Sequence, residues 1–193
     1  MRGETMDNSV ISRERLIQAG IAEMEMNGLS GFSLRRVAQR CGVSCAAPYK
    51  HFKDKRALVQ AIAETYNAQW AARQKAVLER NGSDITQTLR EVCKEYLRFL
   101  LDNPNYCALV TLNDATTGKW YMNSLFDGST PSKRLVQQYC AIHDMDPETA
   151  HVKVVLLRGL FFGVAMLVGS GELELTEDRL EILYREINSA FLS

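Results

Sequence analysis

The sequence is poor in proline and histidine, and its charges cancel. It has four prolines and three histidines in 193 residues, with 23 basic and 23 acidic side chains. It also lacks a His-Glu-x-x-His spacing, a nucleophile elbow and a glycine-rich phosphate loop, so hydrolases and phosphoryl-transfer enzymes are not indicated. We expect neither catalytic activity nor a cofactor. Summed over the whole chain, a net charge of zero gives no sign of a polyanionic partner.

Cysteine is present in an odd number and widely spaced, at Cys41, Cys45, Cys93, Cys107 and Cys140. No basic and then apolar leader precedes these residues, which favours reduced thiols and a cytoplasmic protein. Cys41 and Cys45 have a helical spacing, but no second cysteine pair follows, so we expect no metal site. The longest apolar run, 154–168, contains an arginine and is shorter than the roughly 20 residues that cross a bilayer, so it predicts a buried helix.

Proline follows a good N-cap residue at 103–104, 130–131 and 146–147, and each pair predicts the start of a helix. Between these points apolar residues recur at intervals of three and four, and no segment alternates with the period of a strand. We therefore predict an all-α chain of about nine helices, with an irregular segment at 116–129. The helices are expected near residues 12–27, 34–41, 45–52, 55–80, 84–102, 104–114, 131–144, 147–169 and 177–192.

Residues 33–52 have the pattern of a helix-turn-helix. Ser33 can cap a first helix, and Gly42 can end it because glycine adopts left-handed backbone without strain. Ser44 can then cap the second helix. Small and apolar residues, Leu34, Val37, Ala38 and Cys41, would form the inner face of the first helix and let the two helices approach closely.

The charges are unevenly divided around this motif. Residues 33–56 contain seven basic side chains and one acid, a net charge of +6, so the other 169 residues carry −6. A helix-turn-helix within a basic segment is typical of proteins that bind duplex DNA, because neutralised phosphates release condensed counterions. A solvated charged face on a small helical subdomain is the alternative.

The run from Gly42 to Leu58, Gly-Val-Ser-Cys-Ala-Ala-Pro-Tyr-Lys-His-Phe-Lys-Asp-Lys-Arg-Ala-Leu, resembles the recognition helix and following helix of the TetR family of transcriptional regulators. Ser33-Leu34-Arg35-Arg36-Val37-Ala38 resembles the family's second helix. The motif likeness covers residues 12–58. It implies a DNA-binding domain at 1–56, a helical ligand-binding and dimerisation domain at 57–193, and a homodimeric repressor released from a palindromic operator by a small molecule.

The resemblance also assigns residues to the DNA. It implies that Tyr49, Lys55, His51 and Ser33 contact the phosphate backbone, which fixes register without reading sequence. Arg35, Cys45, Ala46 and Lys50 would face the bases, and Arg36 and Ser44 complete the predicted contact set. Pro48 departs from a regular helix and predicts a distorted first turn. Exposed Cys45 allows a redox switch as an alternative to a merely small residue.

Two further surfaces are implied for residues 57–193. Aromatic, sulfur and polar side chains would line an effector pocket, and for each of them a plain core role is the alternative: Tyr96, Phe99, Cys107, Asn113, Trp120, Tyr139, His143 and Phe161. The helices at 147–169 and 177–192 resemble the family's dimer surface, with the predicted contacts Leu156, Gly159, Leu160, Gly163, Leu167, Leu183 and Ile187. A helix buried within one chain is the alternative for 147–169.

A function from another class stays open. The chain could be a small-molecule-binding or redox-active helical protein whose helix-turn-helix no longer reads DNA, because Pro48 and the small side chains of 45–47 leave few groups for base contacts.

Overall fold

The computed structural model describes residues 11–110 and 131–191. The regular secondary structure of these two ranges is helical, and neither range contains a strand. The expected all-α fold is confirmed. In chain order the helices are α1 (Arg13–Gly31), α2 (Leu34–Arg40), a short 3-10 helix (Ala47–Lys50), α3 (Lys55–Asn81), α4 (Ile85–Asp102), α5 (Pro104–Val110), α6 (Pro131–Ile142), α7 (Pro147–Gly169) and α8 (Glu177–Phe191). The predicted irregular segment at 116–129 lies outside the described residues.

Helix starts follow the capping chemistry of the sequence. The three helices expected to begin at proline do so, at Pro104, Pro131 and Pro147. Before α7 the Asp146 carboxylate accepts a hydrogen bond from the backbone N–H of Thr149 at 2.9 Å. This bond satisfies one of the N–H groups that the first turn of a helix leaves without a partner.

The chain divides into two compact units, Met1–Tyr66 and Asn67–Ser193. The sequence suggested a boundary at 56/57, in the first turn of the fourth predicted helix. The division lies further along because that helix, α3, continues without interruption through Tyr66. Each unit has a core of its own.

The core of the first unit lies between α1, α2 and the N-terminal part of α3. Leu16, Ile17, Met24 and Leu58 are fully or almost fully buried there. Gly20 sits in a tight place, since a Cβ on it would be 2.8 Å from Cδ1 of Ile62. A side chain at position 20 would therefore require the end of the Ile62 side chain to shift, whereas glycine lets α1 and α3 pack closely without that change.

In the second unit, α4 packs against α5, α6 and α7. Its buried face includes Leu97, Phe99 and Leu100, which are wholly inaccessible. The ring of Tyr106 on α5 meets Phe99 edge-on at 5.2 Å, and its hydroxyl donates to Asn67 Oδ1 at 2.9 Å. The unit is therefore a helical bundle centred on α4.

Helix α7 is not the buried helix that the apolar run predicts. It is the one described helix long and apolar enough to cross a bilayer by length and composition, a feature that by itself indicates little, and only 11% of its most apolar window is buried. One side faces the bundle through Phe161, Val164 and Ala165. The other leaves large apolar side chains in solvent, among them Leu156 at 55% exposure. Apolar side chains therefore lie on both the bundle-facing side and the solvent-facing side of α7.

Candidate functional site

The turn between the two helices of the helix-turn-helix has the predicted geometry. Gly42 has φ of +69°, a conformation that glycine adopts without strain. The chain then folds back, and the N–H of Val43 donates to the Ala38 carbonyl at 3.1 Å. Ala38 itself is wholly buried. The small residue at 38 and glycine at 42 therefore form the corner that the sequence predicts.

The second helix of the motif is shorter and tighter than predicted. The expected α-helix over 45–52 is a 3-10 helix of four residues, Ala47–Lys50. Pro48 explains the difference, because it has no N–H to donate and its ring disfavours α dihedrals at Ala47. Bonds to the third residue back replace the α pattern, as from Tyr49 N–H to the Ala46 carbonyl at 3.2 Å.

The capping predictions for this motif need correction. The N-cap of the 3-10 helix is Ala46 and not Ser44, whose carbonyl instead accepts from the Ala47 N–H at 2.9 Å. Ser33 does occupy the N-cap position of α2, but its side chain makes no capping hydrogen bond. The Ser33 and Ser44 hydroxyls are thus not committed to these helix ends.

Most of the predicted DNA-contact residues share one property, which is exposure to solvent. Tyr49 is the clearest case, with 58% of this large aromatic residue exposed. Ser33 and His51 are half-buried. The exposed members are Arg35, Arg36, Ser44, Cys45, Ala46, Tyr49, Lys50 and Lys55. A phenol and several cations are therefore exposed on the turn, on the two short helices that flank it and at the start of α3.

Arg36 differs from the other exposed cations, because its guanidinium makes hydrogen bonds within the first unit. It donates to the carboxylate of Glu23 on α1 and to the Gly31 carbonyl. Arg40 binds the other oxygen of the same carboxylate at 3.0 Å. Glu23 is completely buried. Two of the seven basic residues of the segment thus hold α2 on α1, a role that the sequence analysis missed.

Asp54 and Lys55, near the end of the basic segment, also make contacts within the first unit. The Asp54 carboxylate caps α3 by accepting from the N–H of Ala57 at 2.8 Å. The ammonium of Lys55 lies 5.7 Å from the centre of the Phe32 ring, within the range of a cation–π contact. These contacts give Lys55 a fixed place at the start of α3.

The second unit contains an apolar cavity of about 50 Å³ between α3, α4, α6 and α7. Two of the predicted pocket residues, Tyr96 and Phe161, line it, and their rings are 6.0 Å apart. Trp70, whose ring centre is 4.8 Å from that of Tyr96, also lines it. Trp70 was missed because it belongs to the long α3, where its helical spacing resembles that of any core residue. Among the described residues that line the cavity, Arg158 is the one cation.

Other predicted pocket residues take different places. Phe99 and Cys107 are buried but do not line this cavity, so they are core residues. Tyr139 lines a neighbouring cavity of about 40 Å³. His143 is exposed, packs against the Tyr139 ring at 4.2 Å and lines neither of these two cavities. Asn113 and Trp120 lie outside the described residues.

The buried thiols of this unit are unreactive. Burial raises the pKa of Cys93 to about 12 and that of Cys107 to about 11. Both therefore remain protonated at neutral pH, and only a thiolate is an effective nucleophile or metal ligand. Within residues 11–110 and 131–191 no three His, Cys, Asp or Glu side chains come together as metal ligands.

The predicted dimer residues divide between the surface and the core. Leu156, Leu160 and Leu167 are exposed, at 55%, 36% and 42%. Gly159 is exposed and Gly163 half-buried, and a Cβ on either would meet nothing within 4 Å. On α8, Leu183 is half-buried. Ile187 is 3% exposed and packs inside its own chain, so it is a core residue and not a surface contact.

Residues 16–62 match the family model described as bacterial regulatory proteins, tetR family. The chain is 43% identical over 54 residues to the tetracycline repressor protein class C of Escherichia coli, covering 28% of this chain and 25% of that protein. It is 29% identical over 128 residues to the HTH-type transcriptional regulator BetI of Paraburkholderia phymatum, covering 58% of this chain and 65% of that one.

These matches span less than two thirds of each relative's length. The fold likeness is broader. A solved structure of a TetR point variant from Acinetobacter baumannii AYE in complex with minocycline is similar with a TM-score of 0.63 and 18% identity, over 94% of each chain. At this identity the likeness concerns the fold alone.

Proposed function

We propose that the chain is a DNA-binding transcriptional regulator of the TetR family rather than an enzyme, because residues 16–62 match the model of that family. It acts as a cytoplasmic homodimer on a palindromic operator, as a repressor that a small molecule releases. The observation that carries the proposal is the display of Tyr49, Lys50 and Lys55 on an exposed helix-turn-helix within a segment of net charge +6.

Binding to DNA divides into two kinds of contact. Tyr49 and Lys55 suit the phosphate backbone, since a phenol donates to a phosphate oxygen and an ammonium neutralises it. Arg35 is exposed on α2 beside the turn and can contact guanine with two hydrogen bonds. Arg36 is left out of this set because its guanidinium is bound to Glu23 and Gly31.

The homodimer rests on the exposed face of α7. Large apolar side chains along that face, such as Leu156 and Leu167, stand in solvent in the single chain. A second copy related by a two-fold axis would bury them and place two reading helices on one DNA. Half-sites are then expected about 34–36 Å apart, or a multiple of that distance.

The effector site is the apolar cavity of the second unit. A neighbour of the same fold holds minocycline, and a partial relative is named a tetracycline repressor. The cavity lining is apolar with few polar groups, as is usual for small-molecule sites. A ligand that prefers a conformer with weak DNA affinity releases the operator to the extent of that preference.

Fluorescence anisotropy against duplex DNA taken from beside the chain's own gene tests the DNA function. We expect tight binding that falls steeply with salt. Lys55→Ala should weaken binding to all sequences alike and lower the salt slope by about 0.9 per half-site. Lys75→Ala is the matched control, because Lys75 is an exposed α3 lysine that pairs with Glu79 one turn further along the helix. An affinity equal to that for random duplex at every salt concentration contradicts the proposal.

The shortened 3-10 helix favours one other candidate, a ligand-binding helical protein that no longer reads DNA. Only four residues, Ala47–Lys50, stand where a longer reading helix was expected. The same titration separates the two functions, because this candidate requires equal affinity for the gene-flanking and the random duplex.

A further inference from the structure

Helix α2 carries Arg35, the residue proposed to contact guanine, but α2 is too short to be stable alone. It has only seven residues, Leu34–Arg40, and the Ser33 side chain before it makes no capping hydrogen bond. Isolated helices shorter than about 12–15 residues are marginal in water, so a helix of this length depends on its tertiary contacts. The direction in which Arg35 leaves α2 is therefore set by the contacts that fix α2 on α1.

A single buried carboxylate on α1 binds α2 at two points. Arg36 donates to one oxygen of Glu23, and Nε of Arg40 donates to the other at 3.0 Å. Arg36 and Arg40 are four residues apart, so their side chains leave α2 on the same face. The side-chain amide of Asn27 on α1 also donates to the carboxylate, at 3.0 Å. We call these four residues, Glu23, Asn27, Arg36 and Arg40, the Glu23 cluster.

The contacts of Arg36 limit the rotation of α2 about its own axis. Besides Glu23, its guanidinium binds the carbonyl of Gly31, the last residue of α1. Adjacent residues of a helix are about 100° apart around the axis. A side chain that is held at position 36 therefore also fixes the direction in which the exposed side chain of Arg35 leaves the helix.

The apolar face of α2 constrains its orientation less strictly. Leu34, Val37 and Ala38 are buried on that face. The hydrophobic effect is non-directional, so a small rotation or shift keeps most of the buried area. Hydrogen bonds between a guanidinium and a carboxylate depend on both distance and angle. The Glu23 cluster therefore adds an orientation requirement that the apolar face alone lacks.

We propose that Glu23 is a positioning residue for DNA recognition, which acts through Arg36 and Arg40 to orient Arg35 toward its base. The inference rests on the proposed DNA function and goes beyond the stabilising contacts of the Glu23 cluster. Glu23 is completely buried, so it does not contact DNA itself. Its replacement should lower the affinity for a specific site, while the affinity for random duplex, which depends on phosphate contacts, should stay almost unchanged.

Anisotropy titrations of the full-length Glu23→Gln variant against the gene-flanking and the random duplex test this role. Glutamine keeps the size of the side chain but has a single acceptor oxygen, so one arginine loses its partner. We expect about tenfold weaker binding to the gene-flanking duplex, comparable to the loss of one base contact, and random-duplex affinity within about twofold of wild type. Equal losses on the two duplexes, or no loss on either, overturn the proposal.

Glu25→Gln is the matched control for charge. Glu25 is an exposed carboxylate on the same helix, and its replacement changes the net charge of the protein by the same amount. Both variants therefore share any general electrostatic effect on DNA binding. Glu25→Gln should keep the wild-type ratio of the two affinities, and a ratio lowered as much as in Glu23→Gln contradicts the proposal.

Ile17→Val separates positioning from a general loss of stability. Ile17 is 2% exposed in the core of the first unit, and removal of one buried methylene group lowers stability without changing any group of the Glu23 cluster. This variant should melt below wild type and keep the wild-type ratio of the two DNA affinities. If it lowers the ratio as much as Glu23→Gln does, Glu23 acts on stability alone and the proposal is wrong.

A double-mutant cycle tests whether Glu23 acts through Arg35. Arg35→Ala should weaken binding to the gene-flanking duplex about tenfold in the wild type but less than about threefold in Glu23→Gln, because a misdirected side chain contributes less to binding. Lys55→Ala should have the same effect in both backgrounds, since Lys55 begins α3 and is outside the Glu23 cluster. An equal effect of Arg35→Ala in both backgrounds overturns the proposal.

The wild-type titration keeps this proposal distinguishable from the regulatory function. Equal affinity of the wild type for the two duplexes overturns the regulatory function and the role of Glu23 with it. If wild type and Glu23→Gln prefer the gene-flanking duplex to the same extent, the regulatory function stands and only the role of Glu23 is overturned.

Discussion

The carboxylate of Glu23 on α1 accepts a hydrogen bond from Nε of Arg40 on α2 at 3.0 Å, deep in the first unit. Arg36 binds the other carboxylate oxygen. Glu23 is completely buried, whereas the two arginine side chains are 45% and 31% exposed. A buried charge of this kind is stable only while its partners remain. Two arginines of the basic segment therefore hold α2 on α1.

The pH dependence of folding should report Glu23. Burial alone raises its pKa, but the hydrogen bonds and charges of Arg36 and Arg40 outweigh burial and hold the pKa below the ordinary 4.5. A group with a lowered folded-state pKa stabilises the protein fully above its unfolded pKa and loses that effect as pH falls through the folded value. Wild-type stability should thus decline below about pH 4.5 through this group.

Glu23→Gln replaces the titratable carboxylate with an amide of nearly the same size and shape. At neutral pH we expect a loss of about 1–3 kcal/mol in the free energy of unfolding, since charge-assisted bonds are replaced by weaker ones. The difference from wild type should shrink as the pH is lowered below 4.5. Urea unfolding at a series of pH values measures both. A difference that is constant from about pH 7 to about pH 3 would show that Glu23 does not set the acid sensitivity.

The neighbours Arg35 and Arg36 should separate DNA binding from stability. Arg35 is exposed, so Arg35→Ala should relax base preference and weaken operator binding with stability unchanged within about 0.5 kcal/mol. Arg36→Ala leaves Glu23 with Arg40 alone and should lower the free energy of unfolding by about 1–3 kcal/mol. Thermal unfolding and anisotropy on both variants measure the contrast. Two variants with the same profile would contradict this division of roles.

The sequence predicts the helices well where local chemistry decides them. The Asp146-Pro147 pair and the apolar spacing of α4 act within one or two turns, and the structure has those helices where expected. The distortion at Pro48 was also foreseen, but its extent was not, because the competition between α and 3-10 bonding depends on the packing of the whole turn.

Contacts between residues that are far apart in the chain could not be predicted from the sequence. Nothing in the spacing of Glu23 on α1 shows that Arg36 and Arg40 of α2 will meet it. Likewise Ile187 and Leu183 have the same apolar character, and only the packing of α8 shows that Ile187 is buried in its own chain while Leu183 is half-buried.

The exposed face of α7 should carry the dimer. Leu156→Glu places a charge on a residue that is 55% exposed in the single chain, so the fold should persist. In the dimer that charge would be buried without a partner, which is strongly unfavourable. Sedimentation velocity should show a dimer for wild type and a monomer for the variant. Ile142→Glu is the control, because Ile142 is similarly exposed, at 62%, but lies on α6. If Leu156→Glu sediments with the mass of a dimer, as wild type should, the dimer interface does not include Leu156.

Gly163→Ala is a second test of the dimer interface, because the substitution should stabilise the single chain but weaken the dimer. In the single chain a Cβ at Gly163 would meet nothing within 4 Å, so Gly163→Ala should stabilise the α7 helix by about 0.5–1 kcal/mol. If a partner helix packs closely on that glycine, the added methyl groups crowd the contact, and overpacking of about 1–3 kcal/mol weakens the dimer roughly tenfold or more. Thermal unfolding over a range of protein concentrations resolves both effects. The variant should melt above wild type when dilute and lose its advantage when concentrated, whereas a gain that is the same at every concentration would mean that no partner helix approaches Gly163.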